Sequence, residues 1–216
     1  MPRAGLSTAS VVDAAVDLVD ERGGSPLTLA AVASRTGVAA PSLYKHVRNL
    51  EALQQKVSAR VTAELAHALS TSVAGRSGED ALRWMARAYR GYALAYPGRY
   101  PMTQRVPDSL DPEHVAAGEQ AVQAVFAALR GYGLEGDEAI HATRAARSAL
   151  HGFVSLELDG GFGLPLDVGR SFERLVSALH ISLIGWNDRP AAYESDPALL
   201  APKPPNEVRS TADTVV

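Results

Sequence analysis

The chain has 216 residues, 46% of them apolar and 21% charged, with a net charge of −3 and no cysteine. That is enough apolar chain to bury a sizeable core in one large domain or two small ones, and it excludes both a disulfide framework and a thiolate metal site. No window approaches the roughly eighteen uncharged apolar residues of a membrane span, and the start lacks the basic and apolar run of an export signal, so a cytoplasmic protein with no membrane partner is expected. Alternating Val, Ile and aromatic residues are missing while Ala, Leu, Arg and Glu dominate. The expectation is therefore an all-α fold of about nine helices.

Taken in order, a polar arm containing Arg3 leads to Ser7 or Thr8, either of which can cap a helix with the apolar stripe Val11, Val12, Ala15, Val16 and Val19. Arg22, Gly23 and Gly24 end it, and Pro26 completes the connector. The stretch Leu27 to Leu53 then holds two short helical patterns joined by a tight turn. Thr28 is placed to cap the first, with Leu29, Val32 and Ala33 at helical spacing, and Gly37 supplies the positive φ that ends it. The second pattern, Ala39 to Val47, has Pro41 in its first turn and buries Leu43 and Val47. Its other face offers Ala40, Ser42, Lys45 and His46, groups suited to phosphates and base edges.

This helix-turn-helix resembles that of the TetR family of bacterial transcriptional repressors, with the approximate signature LTxxxVAxxxGVxxxxLYxHFxxxxxL. Leu27, Thr28, Val32, Ala33, Gly37, Val38, Leu43, Tyr44, His46 and Leu53 carry the match. The resemblance implies an N-terminal reader of double-stranded DNA, residues 1–49, joined to an effector-binding and dimerisation domain, residues 50–188. It points to Thr28, Ala39, Ala40, Pro41, Ser42, Tyr44, Lys45, His46 and Arg48 as the DNA-binding set. Within that set, Tyr44 either reaches a phosphate, as the LYxH arrangement implies, or is a core aromatic; His46 either contacts phosphate or packs on the next helix. Ala39 and Ala40 stand where longer polar side chains occur in the family, and Leu50 where a lysine is frequent. Methyl contacts and DNA shape then carry more of the readout, with Arg48 replacing the missing cation.

Charge agrees modestly. The first sixty residues hold seven Lys or Arg against five Asp or Glu, a balance of +2, which leaves −5 for the remainder. Asn49 caps a long helix, Leu50 to Val73, with Leu53, Val57, Val61, Leu65 and Leu69 in one stripe, a rigid link between reader and effector domain. After a break at Gly75 to Gly78, helices are expected over Glu79 to Tyr96, Gly98 to Gln104, Pro112 to Tyr132, Asp137 to Leu158 and Val168 to Asn187. The segment from Arg189 on is rich in proline and reads as a mobile tail, residues 189–216.

The effector region resembles the TetR subgroup with a tyrosine and proline motif, here Tyr92, Ala93, Tyr96, Pro97 and Tyr100, and an HG-F-LE motif, here Leu150, His151, Gly152, Phe153, Leu156 and Glu157. Trp84, Tyr89, Tyr92, Met102, Phe126, Leu129, His151 and Phe153 are the groups available to line a pocket, although each has a role as plain core open to it. A pocket of that set predicts a small, largely apolar effector. The last two helices carry Leu150, Val154, Phe172, Leu175, Leu179 and Leu183, the candidate surface for a homodimer built as a four-helix bundle.

Two other functions compete with a repressor released by its effector. One is a TetR-like protein that sequesters a ligand without binding DNA. The other is an enzyme, for which Gly131 to Gly136 reads G-x-G-x-x-G, but this follows a helix rather than a strand and so lacks the dinucleotide-binding context. His141 and His151 are too far apart on one helix to share a metal, and neither a metal nor a cofactor is expected.

Overall fold

The structure is a computed structural model and describes residues 6–21, 26–108 and 111–187. Arg3, the expected helix stop at Arg22 to Gly24 and the proline-rich segment from Arg189 on all lie outside the described residues. Among those described, eight α-helices and two 3₁₀ helices account for the regular structure, with no strand. They are α1 (Thr8–Glu21), α2 (Leu29–Thr36), α3 (Ala40–Leu43), α4 (Leu50–Val73), α5 (Gly78–Ala95), α6 (Pro112–Leu129), α7 (Gly136–Leu158) and α8 (Val168–Ile184). The 3₁₀ helices are Tyr100–Gln104 and Arg130–Tyr132. The fold is the expected all-α one.

The first three helices share one core with the beginning of α4. Val11, Ala15 and Val19 of α1 pack with Val32, Leu43, Val47, Leu53 and Val57, and Leu43 and Leu53 are fully buried. The turn between α2 and α3 takes its shape from Gly37. At φ 70 its N–H bonds the Ser34 carbonyl, while the Val38 N–H bonds the Ala33 carbonyl at 3.1 Å, the paired bonds that close a helix ending in a left-handed residue. Thr28 Oγ1 accepts from the Ala31 N–H at 3.2 Å and closes the other end.

The second pattern of the helix-turn-helix differs from its expected length. Regular α-helix stops at Leu43, and Tyr44 to His46 continue as tighter turns in which the His46 N–H bonds the Leu43 carbonyl at 2.8 Å. The Val47 N–H still reaches the same carbonyl at 3.0 Å, so the chain keeps a helical path while its last turn contracts toward 3₁₀ geometry. Asn49 Oδ1 then accepts from the Ala52 N–H at 2.8 Å, and α4 runs 24 residues, about 36 Å at the rise of an α-helix.

Around α4 the remaining helices form a bundle, with α5, α6 and the Tyr100–Gln104 turn packed directly on it. Ion pairs fasten α5 to the last two helices. Arg90 holds Glu157 of α7 through two bonds of 2.7 and 2.5 Å, and Arg87 holds Glu173 of α8 at 2.8 and 3.0 Å. Arg87 keeps the Glu173 carboxyl below the usual carboxylate range.

The glycine triad at 131, 133 and 136 has structural work of its own. Gly133 and Gly136 adopt positive φ at the joint between α6 and α7, and a Cβ on Gly131 would lie 2.1 Å from the Gly78 nitrogen. Close backbone approach and two left-handed turns account for the spacing that mimics a nucleotide loop, and no strand precedes it.

Candidate DNA-reading face and effector cavity

On α3 and its flanks, the residues expected at DNA divide by exposure. Thr28, Ala39, Ala40, Pro41, Tyr44, Lys45 and Arg48 are exposed, and Ser42 and His46 are half-buried. Tyr44 has 58% of its surface in solvent, so the core-aromatic alternative does not hold for it. Leu43 and Val47 face inward and hold the short helix against α1 and α4. Among the described residues no ion pair engages Lys45 or Arg48, whereas Arg35 is tied to Glu21 across α1 and α2. The result is a small rigid platform with a phenol, a hydroxyl and two uncommitted cations on its outer side, beside the capped N-terminus of α2.

A cavity of about 370 Å³ opens inside the bundle, within the range of small-molecule sites. Each wall is a helical stripe: Thr62, Leu65 and Leu69 from α4, Met85 and Tyr89 from α5, Gly118, Ala121, Val122, Val125 and Phe126 from α6, and Ile140, Thr143, Arg144, Arg147 and Leu150 from α7. Residues 103–107, following the first 3₁₀ turn, contribute Thr103, Gln104, Arg105 and Pro107. Arg147 Nη2 donates to Gln104 Oε1 at 3.1 Å and joins α7 to that segment.

Of the eight side chains considered for a ligand, Tyr89 and Phe126 line this cavity. The other six are committed elsewhere. Trp84 lies on the surface between Arg76 and Arg87, whose guanidinium carbons stand 4.7 and 5.9 Å from its ring. Tyr92 donates to the Val61 carbonyl at 3.1 Å, and burial raises its phenol pKa. Met102 packs against the core shared by α1 to α4, and Leu129 is fully buried. His151 Nδ1 meets the Tyr100 hydroxyl at 2.6 Å, and the Phe153 ring meets Phe162 at a tilt and Phe172 edge-on, with centroids 4.7 and 5.2 Å apart.

The cavity also takes up Leu150, read from sequence as part of a partner-facing set. Ile140, Thr143, Arg147 and Leu150 of α7 line it. Leu150, Val154, Phe172 and Leu183 are buried within the protomer, and of the six expected at a dimer surface only Leu175 and Leu179 keep partial exposure. The last two helices spend their main apolar stripes on their own bundle. The large apolar side chains they leave most exposed are Leu156, Ile181 and Ile184, at 51, 67 and 66%.

Several cavity residues gave no distinct sequence signal. Thr62 and Thr143 lie on helices α4 and α7 among apolar neighbours, and their hydroxyl oxygens are buried without a hydrogen-bond partner, as is Arg105 Nε. Each such group costs about 1 to 3 kcal/mol relative to a satisfied one. His114, 1% exposed, meets Ser58 Oγ and Gln55 Oε1 at 3.1 Å each, and burial lowers its pKa. Ser58 Oγ also donates to the Met102 carbonyl at 2.7 Å.

One short segment touches both the cavity and the first helices. A Cβ at Gly98 would lie 2.2 Å from the Val19 carbonyl oxygen, so the turn after α5 lies directly on the last turn of α1. Arg99 then grips Asp20 of α1 with Nε and Nη2, the latter at 2.6 Å, and Glu64 of α4 with Nη1 at 2.9 Å. A few residues further on, Thr103 to Arg105 are already cavity wall.

Comparison with known proteins agrees with this architecture. The family described as "Bacterial regulatory proteins, tetR family" matches residues 11–56, and "Tetracyclin repressor-like, C-terminal domain" matches residues 82–179. The chain is 44% identical to the HTH-type transcriptional regulator Rv0681 of Mycobacterium tuberculosis over 72% of either chain. It is 36% identical to the HTH-type transcriptional regulator YobS of Bacillus subtilis, over 72% of this chain and 81% of that one. Among solved structures, TetR-Q116A of Acinetobacter baumannii in complex with minocycline shares the fold at a TM-score of 0.64 and 22% identity, covering 87% of this chain and all of that one. With a helix-turn-helix whose outer face is open to solvent, a helical bundle enclosing a cavity, and these relatives, the chain belongs to the TetR family and is a DNA-binding transcriptional regulator.

Proposed function

We propose that the protein is a homodimeric repressor that holds a pseudo-palindromic operator and leaves it when a small, largely apolar effector fills the bundle cavity. The observation that carries this reading is the segment from Gly98 to Arg105, which lies against α1 at one end and forms cavity wall at the other. Residues 1–49 act as the reader: Lys45, Arg48 and Tyr44 meet phosphates, the free N–H groups at the start of α2 beside Thr28 form a further anion site, and Ala39, Ala40, Pro41, Ser42 and His46 lie along the groove. Residues 50–188 bind the effector and the second protomer.

Dimerisation through α7 and α8 covers Leu156, Ile181 and Ile184 together with the exposed parts of Leu175 and Leu179. A twofold axis then sets two copies of α3 into successive major grooves about 34 Å apart. An effector that prefers a cavity with residues 103–105 displaced moves Arg99 and Gly98 against α1, and operator affinity falls by its differential binding to the two states. The Acinetobacter baumannii TetR-Q116A, whose fold this chain shares, binds a small molecule, minocycline. Among the described residues no helix is long and apolar enough to cross a membrane, and a cytoplasmic location is part of this reading.

Selection of random duplexes by the purified protein at two salt concentrations tests the reading. A palindromic site with steep salt dependence is expected, and recovery of no site would shift the function to ligand sequestration. On that site, Lys45→Ala and Tyr44→Ala each weaken binding about tenfold with the oligomer unchanged; unaltered affinity in both would remove them from the interface. Light scattering at micromolar protein that gives the 22.8 kDa monomer would remove the dimer.

A further inference from the structure

Among the described residues, the three buried side-chain atoms without partners, Thr62 Oγ1, Thr143 Oγ1 and Arg105 Nε, all belong to residues of one cavity. Chance would scatter such atoms through the core. An arginine nitrogen can only donate, so whatever satisfies Arg105 Nε brings an acceptor. The same wall carries Arg144 and Arg147, and the Arg147 bond to Gln104 holds α7 beside the segment that bears Arg105. Among the described residues lining the cavity there is no Asp or Glu to neutralise these cations; Arg105 alone reaches a carboxylate, Glu51 at 2.6 Å, outside the lining. The opposite walls, from Leu65 and Leu69 through Met85 to Val125 and Phe126, are apolar.

We propose that the cavity takes an amphipathic carboxylic acid, its apolar body between α4, α5 and α6 and its carboxylate facing Arg105, Arg144, Arg147 and the hydroxyls of Thr62 and Thr143. This rests on the effector reading above and names the class of effector. A carboxylate is chosen because its two oxygens match the planar donor fork of a guanidinium, while hydroxyls of the two threonines donate to the remaining lone pairs. A neutral ligand of the same shape leaves Arg144 and Arg147 without a counter-charge and the Arg105 Nε–H without a strong acceptor.

Calorimetric titration of the full chain with two matched pairs, decanoate against decanamide and 2-naphthoate against 2-naphthamide, separates charge from shape. At least one carboxylate binds about tenfold or more tighter than its amide, since charge-assisted hydrogen bonds are about twice as strong as neutral ones. Arg144→Gln and Arg147→Gln, on the cavity wall and also open to solvent, weaken the acid more than the amide and lower that ratio toward one. Thr62→Val and Thr143→Val raise the melting temperature of the free protein, because an orphan hydroxyl is removed, and lower carboxylate affinity. Equal binding of acid and amide, no binding of either acid, or a ratio untouched in both arginine variants would each overturn the proposal. The regulator reading is scored separately by anisotropy of a selected duplex. Carboxylate binding without release of DNA leaves this inference standing and removes effector control, whereas release by amide and acid alike does the reverse.

Discussion

Thr28 and Gly37 close the two ends of α2 with groups of their own, and the three leading helices bury Leu43 and Leu53 completely. Inside the later bundle Thr62 and Thr143 keep buried hydroxyls with no partner, and a cavity of about 370 Å³ stands where core would otherwise be. The first region satisfies its interior and places its chemistry outside, on Tyr44, Lys45 and Arg48. The second leaves polar groups unsatisfied inside. A DNA reader needs a rigid outer face, so a small closed core suits it; an effector site needs space and unspent hydrogen bonds, so part of the bundle's stability is withheld until a ligand arrives.

Removing a core leucine from each region breaks this comparison most directly. Leu53→Ala, at a fully buried position, is expected to cost about 4 kcal/mol, while Leu69→Ala on the cavity wall costs about 2, because fewer neighbours surround it. Denaturant unfolding of the two variants measures the gap, and equal losses would mean that the cavity is collapsed in solution. Next in size is Gly98→Ala, whose new methyl meets the Val19 carbonyl and forces the turn off α1. About 2 to 3 kcal/mol of stability is lost, a fall in Tm of several degrees. A retained Tm would show that the two regions are not in contact there.

Thr28→Ala removes the bond to the Ala31 N–H and costs about 1 kcal/mol, together with a loss of operator affinity that Thr28→Ser restores. The smallest effect is a pH dependence. Burial lowers the His114 pKa, so the unfolded chain binds the proton first and stability falls as pH drops below about 6.5 toward the folded value. In His114→Gln, which retains hydrogen-bonding groups for Ser58 and Gln55, thermal melts between pH 7 and pH 5 should lose part of that slope. An identical slope would assign it to other groups.

Within the bundle, helix positions were legible and side-chain duties were not. Proline and glycine punctuation placed α5 to α8 to within a few residues, with Gly136 and Gly78 beginning helices at positive φ. Trp84 looked like a pocket residue because it is large, yet its neighbours Arg76 and Arg87 come to it at the surface. Leu150 and Val154 read from sequence as a partner-facing set, and such a set reports only that one face of α7 is covered. Whether a partner, the protomer's own core or a cavity covers it depends on the helices opposite.

Local pattern thus determined the all-α class, the caps at Thr28 and Asn49, the left-handed turn at Gly37 and the outward set on α3, because those features are decided among residues within a turn or two of each other. The α3 length was the local exception, cut short where its last turn tightened. Only the tertiary structure decided that Arg99 joins α1 to α4 from a turn far along the chain, and that Thr62, Arg105 and Thr143 look into one space. Those relations require four helices and a loop to meet, and periodicity along any one of them carries no record of what stands across the gap.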